Sequence, residues 1–547
     1  MELDKTLLES DPVQAADLHS FLTNYGAKGM YSPMKFILRL RPDIHKELSQ
    51  LENRLVKRGE VTDKQIQAFS TFFHETIHWW QHVGSTSGLI LSLSHPAQAH
   101  INHGHLLEFL KTIGPVKSIL KYNTQRARPD NQNSHEFKSV NNILNNFYDI
   151  EYCRGILWDP QTIREIYKSP YFLFIGHCYE ITWASTIWLL SATFSGTQNV
   201  FPDPRKWESK FAELTSRKVE GFFESSRIGI PPLGLFQIYE GQARFSQIQY
   251  LYYGSGETLT WDDFRKMGML DGVYIVGFEL FLKISGSLWP EKISDPLVAL
   301  FLLVCDLSIN PSDGFPFEVY HFESFITTND PGRRFIYFST AIRENHSDLK
   351  SYIKEFSIDE YQVSSKILCD SIACETPLSI AAKIVEWAES TPSIQEVVRE
   401  LEPFKFRDEN LPVRLFFSKF IEFQKSKLEH PHYFCWPGAW SAGTRTSTEK
   451  LELFLKHQAP FVDKADGIIY PVDFPGKVES VVLETFNKFY AWNVSYDLCR
   501  QWITKEGPFD YDYFWLTTKY PFEDMEKWVK HVFENSYNVP IDSFSIL

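Results

Sequence analysis

The chain carries no Cys-x-x-Cys pair, no run of Lys and Arg, no Walker loop, no dinucleotide fingerprint and no Gly-x-Ser-x-Gly elbow. Each gap removes a chemistry. With no Cys-x-x-Cys pair and an odd total of seven cysteines, the pattern suits reduced thiols and not a disulfide framework or a thiolate zinc site. Several cysteines sit in apolar runs such as "FLLVCDL", the setting of reduced thiols buried in a cytosolic protein. Without a basic run, and at a formal charge of −14, no nucleic-acid partner is expected. The short segment "QRARPD" (125–130) reads as solvated surface. The missing phosphate and nucleophile motifs leave no nucleotide-binding or serine-hydrolase signature.

Targeting signals are missing as well. The opening stretch, "MELDKTLLESDP", lacks the basic and apolar regions of a secretory signal, so a cytoplasmic protein is expected. One run, "YFLFIGHCYEITWASTIWLLSATF" (171–194), is long enough to span a bilayer, but His177 and Glu180 would lie inside it. A buried core helix is the better reading, and no membrane partner is expected. There is no internal repeat and no low-complexity tract.

What the chain does have is apolar and aromatic bulk. Hydrophobic residues make up 43% and aromatic residues 16%, with 45 Phe, 25 Tyr and 15 Trp in 547 residues. Such a chain can bury a sizeable core. Its apolar periodicity is helical almost throughout, which makes the fold mainly α. Helices are predicted over 44–58, 63–83, 105–122, 136–148, 171–194, 205–225 and 234–253. Others follow at 296–308, 347–370, 377–402, 411–428, 477–503 and 521–536. Short strands are expected in "GIIYPVDF" and around "FPFEVYHF". The prolines of "SLWPEKISDP" suggest a division near 290, between a 1–290 region and a helical, aromatic-rich 291–547 lobe packed on it. The stretch "HPHYFCWPGAWSAGTRTS" (430–447) reads as a long ordered loop.

Chemistry concentrates in "FFHETIHWWQH", residues 72–82. The helix bearing it starts at Thr62, where Thr-x-x-Gln to Gln65 fits a capping box, and ends at Gly84, expected to be a left-handed cap. Ile66, Phe69, Phe73, Ile77 and Trp80 recur at steps of three and four and form one apolar stripe. Phe72 and Trp79 form a second. His74 and His78 share a line between them, with Glu75 on its flank, so the helix is buried all round except along its histidines. Imidazoles at i and i+4 can converge on one tetrahedral zinc. The glutamate beside the first can then serve as general base toward a metal-bound water. Chance supplies this spacing on the order of a few per cent of the time in a histidine-rich chain. The capped, buried context removes most such accidents, because two unpartnered histidines are costly in an aromatic core.

"HETIH" on a buried helix resembles the active-site helix of zincin metallopeptidases. That resemblance implies a zinc-dependent peptidase with a zincin-like helical core. Zn2+ would be held by His74 and His78, with Glu75 as the catalytic base, and the substrate would be a protein or peptide. The metzincin branch wants Gly at 81 and His at 84. The chain has Gln81 and Gly84, which excludes it. In the gluzincin branch the third ligand is a glutamate on a later helix. Glu240 in "LGLFQIYEGQARF", followed by the small Gly241 and Ala243, is the first choice; its ordinary alternative is an ion pair with Arg244. Glu180, in the most apolar helix, is the alternative third ligand, unless it simply pairs with His177. His82 lies about 12 Å along the axis from His74 and is read as a helix-end or substrate-side group.

Two other histidine groups, "HINHGHL" (100–106) and "HPHYFC" (430–435), read as exposed loop residues. The segments "LSIAAKIVEWAES" and "SIQEVVRELEPF" read as amphipathic helices, and "NPSDGFPF" and "NDPGRRF" as turns. The 291–547 lobe shows no catalytic constellation. It is expected to shape access to the site or to take a regulatory protein partner. Two other readings stay open: a binding or scaffold protein with a structural or inactive metal site, and a metal-dependent hydrolase of a non-peptide bond.

Overall fold

A computed structural model describes residues 1–8, 28–51, 61–126, 135–472, 476–517 and 519–547. The end of the predicted 44–58 helix and of the "QRARPD" loop lies outside the described residues. The chain is mainly helical. The principal helices, in chain order, are α1 (Asp63–Val83), α2 (Thr86–Thr112), α3 (His135–Trp158), α4 (Ile175–Thr193), α5 (Leu235–Gly254) and α6 (Val273–Ser285). They continue as α7 (Pro296–Ser308), α8 (Pro331–Glu344), α9 (Ile358–Ser371), α10 (Leu411–Glu429), α11 (Glu479–Thr504) and α12 (Phe522–Tyr537).

Several expected segments differ, and punctuation residues explain most of the differences. The predicted 105–122 helix is α2, which starts at the Ser85 cap and stops before Gly114, whose φ is 98°. His100, His103 and His105 therefore lie on a helix and not in a loop. "NDPGRRF" is a helix start: the Asp330 side chain accepts from Arg333 N at 2.8 Å, and Pro331 occupies the first turn. The predicted 377–402 helix is two, Pro377–Ser390 and Pro392–Leu401, because Pro392 cannot donate to a continuing helix. The predicted 205–225 and 347–370 helices shorten to Glu208–Ser216 and α9. The 430–447 stretch contains the short helices Pro431–Cys435 and Pro437–Trp440. "FPFEVYHF" forms no strand, whereas "GIIYPVDF" contributes one.

A small sheet of four strands runs in the order β1 (Gly29–Ser32), β2 (Ile37–Leu40), β3 (Phe461–Asp463), β4 (Ile469–Pro471). β2 and β3 are parallel, and the two outer pairs are antiparallel. Strands from either end of the chain thus share one ladder, and the main apolar core runs from Leu7 to Leu516 across position 290. A second apolar cluster joins α2 and α3 to α11 and α12, through Leu106, Phe147, Val494 and Phe533. The 171–194 run is α4, with Trp183 and Leu190 buried. Among the described residues no helix is long and apolar enough to cross a membrane.

α1 is clamped between these layers by its two aromatic stripes. Phe69 and Phe73 meet Tyr250 of α5 at ring separations of 5.4 and 5.2 Å, and Trp80 meets Phe434 at 5.3 Å. On the other side Trp79 packs on Phe36 at 5.9 Å and on Phe416 of α10 at 6.1 Å. Such ring pairs add about 0.5–1.5 kcal/mol each beyond area burial. The Thr62–Gln65 capping box is present. Gly84 is not left-handed, at φ −108°. Glycine is needed there for closeness: a Cβ would lie 2.4 Å from Phe423 Cε1 and 2.6 Å from Trp80 O.

Candidate metal centre

From Gln67 to Val83 every residue is buried except His78. The one opening in this aromatic sheath therefore falls on the histidine line. α5 crosses α1 beside it, and three polar bonds set the crossing. Gln81 Nε2 donates to Tyr239 O and to Gln242 Oε1, each at 2.9 Å, and Gln247 Nε2 donates to Ser70 Oγ at 3.1 Å. Gly241 packs on α7 and α6 and not on α1: a Cβ there would meet Phe301 at 3.4 Å.

The crossing brings Glu240 to the two histidines. Glu240 Oε2 lies 3.5 Å from His74 Nε2 and 3.6 Å from His78 Nε2, and the two Nε2 atoms are 3.2 Å apart. The carboxylate separations are too long for good hydrogen bonds. They match the edges of a zinc tetrahedron, where bonds of 2.0–2.1 Å put ligand atoms about 3.3–3.4 Å apart. The donor set, two imidazole nitrogens and one carboxylate oxygen, also suits zinc. Among the described residues this is the one group of three or more potential ligands that converges on a point.

Hydrogen bonding fixes one tautomer. Both contacts of the Gln81 amide nitrogen are donated, so its Oε1 must accept at 2.8 Å from His78 Nδ1–H. His78 Nε2 is then the lone-pair nitrogen, aimed at Glu240 and His74. Without a metal a proton is the cation this convergence attracts. Burial opposes charge on His78, but Glu240 and Glu75 outweigh it and hold the ring up at about 9. Burial drives His74 down to about 3, despite Glu240 and with help from Arg244 and His78. Glu240 is held well below the usual carboxylate range: burial works against its ionisation, and the charge on His78 prevails. His74 Nδ1 has no hydrogen-bond partner among the described residues, so the two ligand histidines are not equally braced.

Glu75 is buried at 3% exposure and lies under β1, where a Cβ on Gly29 would sit 2.8 Å from its Oε1. Sequence reading did not find β1 or Gly29, because a four-residue edge strand leaves no alternation to detect. Arg244 is also cast differently. It forms no ion pair with Glu240 within 4.0 Å; instead its guanidinium lies 3.8 Å over Tyr274, with Nη1 donating to Gln247 Oε1 at 2.6 Å. Among the described residues its Nε and Nη2 have no hydrogen-bond partner, and the side chain is fully buried. Tyr274 in turn stands edge-on to His74 at 6.1 Å.

Glu180 is not in the group. It lies on α4 beside His177, and that histidine pairs with Asp149 at 3.3 Å. His82 also stands apart: its Nδ1 contacts Ser92 Oγ at 3.1 Å, and its ring packs on Tyr31 and Tyr239. No protein-family model, curated protein or solved structure matches this chain.

Proposed function

We propose that the chain is a zinc-dependent peptidase of gluzincin type, with His74, His78 and Glu240 as metal ligands and Glu75 as general base. The observation that carries this reading is the 3.2–3.6 Å triangle of three donor atoms, whose sides suit a tetrahedral ion better than hydrogen bonds. Zinc held there supplies Lewis acidity, bringing the pKa of water toward neutrality and polarising a carbonyl. Glu75 takes the water's proton on a carboxylate oxygen and delivers it to the leaving amine. Gln81 keeps the His78 tautomer that offers Nε2. Arg244 adds a buried positive charge near the ligands, which favours a transition state gaining negative charge.

Access supports restricted specificity. Only His78 and Glu240 are open to solvent, with side chains 12% and 13% exposed. That narrow opening, with Gly29 backbone against Glu75, also favours a second reading, a metal centre that braces the α1–α5 crossing without turnover. Glu75→Gln in the zinc-loaded chain, assayed on a fluorogenic peptide mixture, separates the two. The peptidase reading expects zinc and melting temperature to be kept and turnover to fall by about 10²–10⁴. Undiminished turnover in the variant would remove Glu75 as base. One bound zinc with no turnover in the unmutated chain would leave the bracing role.

A further inference from the structure

Outside the metal centre, the C-terminal end of α9 brings two cysteines together. After Ser371 the chain turns back on itself: Cys374 N donates to Cys369 O at 3.1 Å and Ala373 N to Asp370 O at 3.2 Å. Ala373 takes the left-handed conformation that closes this turn, at φ 52°. The Cys374 N–Cys369 O bond holds the two cysteine backbones side by side at the end of the helix. Cys369 is fully buried, whereas Cys374 is the one cysteine of the seven that is not. Its neighbours Ala373 and Glu375 are exposed, so a small reagent can reach it.

The third member is Arg334 of α8, 1% exposed. Its nitrogens donate to the carbonyls of Ser308, Thr328, Leu307 and Asn310, at 2.8–3.2 Å. No carboxylate among the described residues pairs with it within 4.0 Å. Its guanidinium also lies 5.3 Å over the Phe338 ring, and its Nη2 reaches Cys374 Sγ at 3.9 Å. A buried guanidinium bonded only to neutral carbonyls favours an anion at that sulfur.

We propose that Cys374 and Cys369 are a peroxide-reactive thiol pair that closes reversibly to a disulfide, with Cys374 as the attacking sulfur and Cys369 as the resolving one. The Cys374 thiolate attacks one oxygen of hydrogen peroxide; the S–O bond forms, the O–O bond breaks, and the released hydroxide takes a proton to leave as water. The Cys369 sulfur then attacks the sulfenic sulfur. The S–S bond forms, the S–O bond breaks, and the departing hydroxide leaves as water with the Cys369 proton. Two electrons pass from the thiols to the peroxide. The electrostatics agree: the hydrogen bond from Cys369 and the Arg334 charge bring Cys374 down to about 6, while Cys369 is pushed well up and stays a thiol. Burial pushes up the thiols of Cys153, Cys178, Cys305, Cys435 and Cys499.

Both cysteines fall in one tryptic peptide, residues 367–383, which makes the test direct. The full chain is exposed to one equivalent of hydrogen peroxide, then denatured, alkylated with N-ethylmaleimide and digested. The peptide should appear unalkylated and two hydrogens lighter, and dithiothreitol should restore both thiols. Cys369→Ser should leave a sulfenic acid at Cys374 that dimedone captures. Because a change at buried Cys369 could disturb folding, a second measurement uses the unmutated chain. Iodoacetamide at pH 7 should modify Cys374 at least about tenfold faster than any other cysteine, with a rate half-maximal near pH 6. The pair is refuted if peptide 367–383 stays reduced while another cysteine oxidises, or if Cys374 alkylates no faster than the buried five.

Discussion

Two clusters of the same residue types sit on neighbouring helix pairs, and they resolve their charges in opposite ways. On α3 and α4, His177 meets one oxygen of Asp149 at 3.3 Å and the Cys178 thiol donates to the other at 3.4 Å. Donors there meet acceptors, and the cluster closes on itself. On α1 and α5, the Gln81 bond turns the His78 lone pair inward toward a carboxylate and a second imidazole. There the Glu240 oxygen stands 3.5–3.6 Å from both imidazoles, too long for good hydrogen bonds, and the His78 lone pair faces that carboxylate unless a cation, a proton or a metal ion, lies between them. Burial alone does not distinguish a metal site from a satisfied core pair, since both clusters are largely buried. The direction of the lone pairs does.

The most decisive way to break this contrast is to remove one carboxylate from each cluster. Purified chain should hold one zinc, Glu240→Ala none, and Glu180→Gln one. A ligand present at about 1,000 times its Kd stabilises by about 4 kcal/mol. EDTA should therefore lower the melting temperature of the unmutated chain and of Glu180→Gln, and leave Glu240→Ala unmoved. Zinc kept by Glu240→Ala and lost from Glu180→Gln would transfer the ligand role to the cluster that looks complete.

Sequence alone made the contrast visible only in part. The motif helix was legible to the residue at 63–83 because its capping box, two aromatic stripes and histidine line all agree on one register. The lone-pair argument was not legible, because it depends on Gln242 and the Tyr239 carbonyl, 161 and 158 positions from Gln81. The choice between Glu240 and Glu180 was open for the same reason: each had a plausible local partner, Arg244 or His177, and only packing decides which carboxylate is drawn elsewhere. β1 and α8 were missed for a different cause. A four-residue strand is too short to show alternation, and "NDPG" serves equally as a turn or as a helix start.

Gly29 and Gly104 sharpen the comparison further, because the same substitution should act with opposite sign. A Cβ at Gly29 would lie 2.6 Å from Glu75 Cγ, so Gly29→Ala must push the carboxylate or the edge strand. A cost of about 1–3 kcal/mol is expected, with zinc retained and peptide turnover reduced. A Cβ at Gly104, inside α2, meets nothing within 4 Å. Gly104→Ala should stabilise by about 0.5–1 kcal/mol and leave turnover alone. Denaturant midpoints and zinc content of the two variants check both. Equal effects would mean that β1 yields to Glu75 without strain.

In the self-closed cluster the expected effect depends on pH. Burial raises the Glu180 carboxyl to about 7, with Glu208 and Asp149 adding to the rise and His177 offsetting part of it. A carboxyl raised in the folded state binds its proton more tightly there than in the unfolded chain. Its stabilising effect is complete below about pH 4.5 and is lost as pH climbs through 7. His177 acts in the same direction: its ring is raised by Asp149 against the pull of burial, so its contribution also fades with rising pH. Glu180→Gln removes the first of these. Relative to the unmutated chain it should gain about 1–2 kcal/mol at pH 8, allowing for the partly exposed side chain, and nothing at pH 4. Urea denaturation at the two pH values measures the gap. A gain of equal size at both would mean that Glu180 acts through packing, and the cluster would then owe its closure to Asp149, His177 and Cys178.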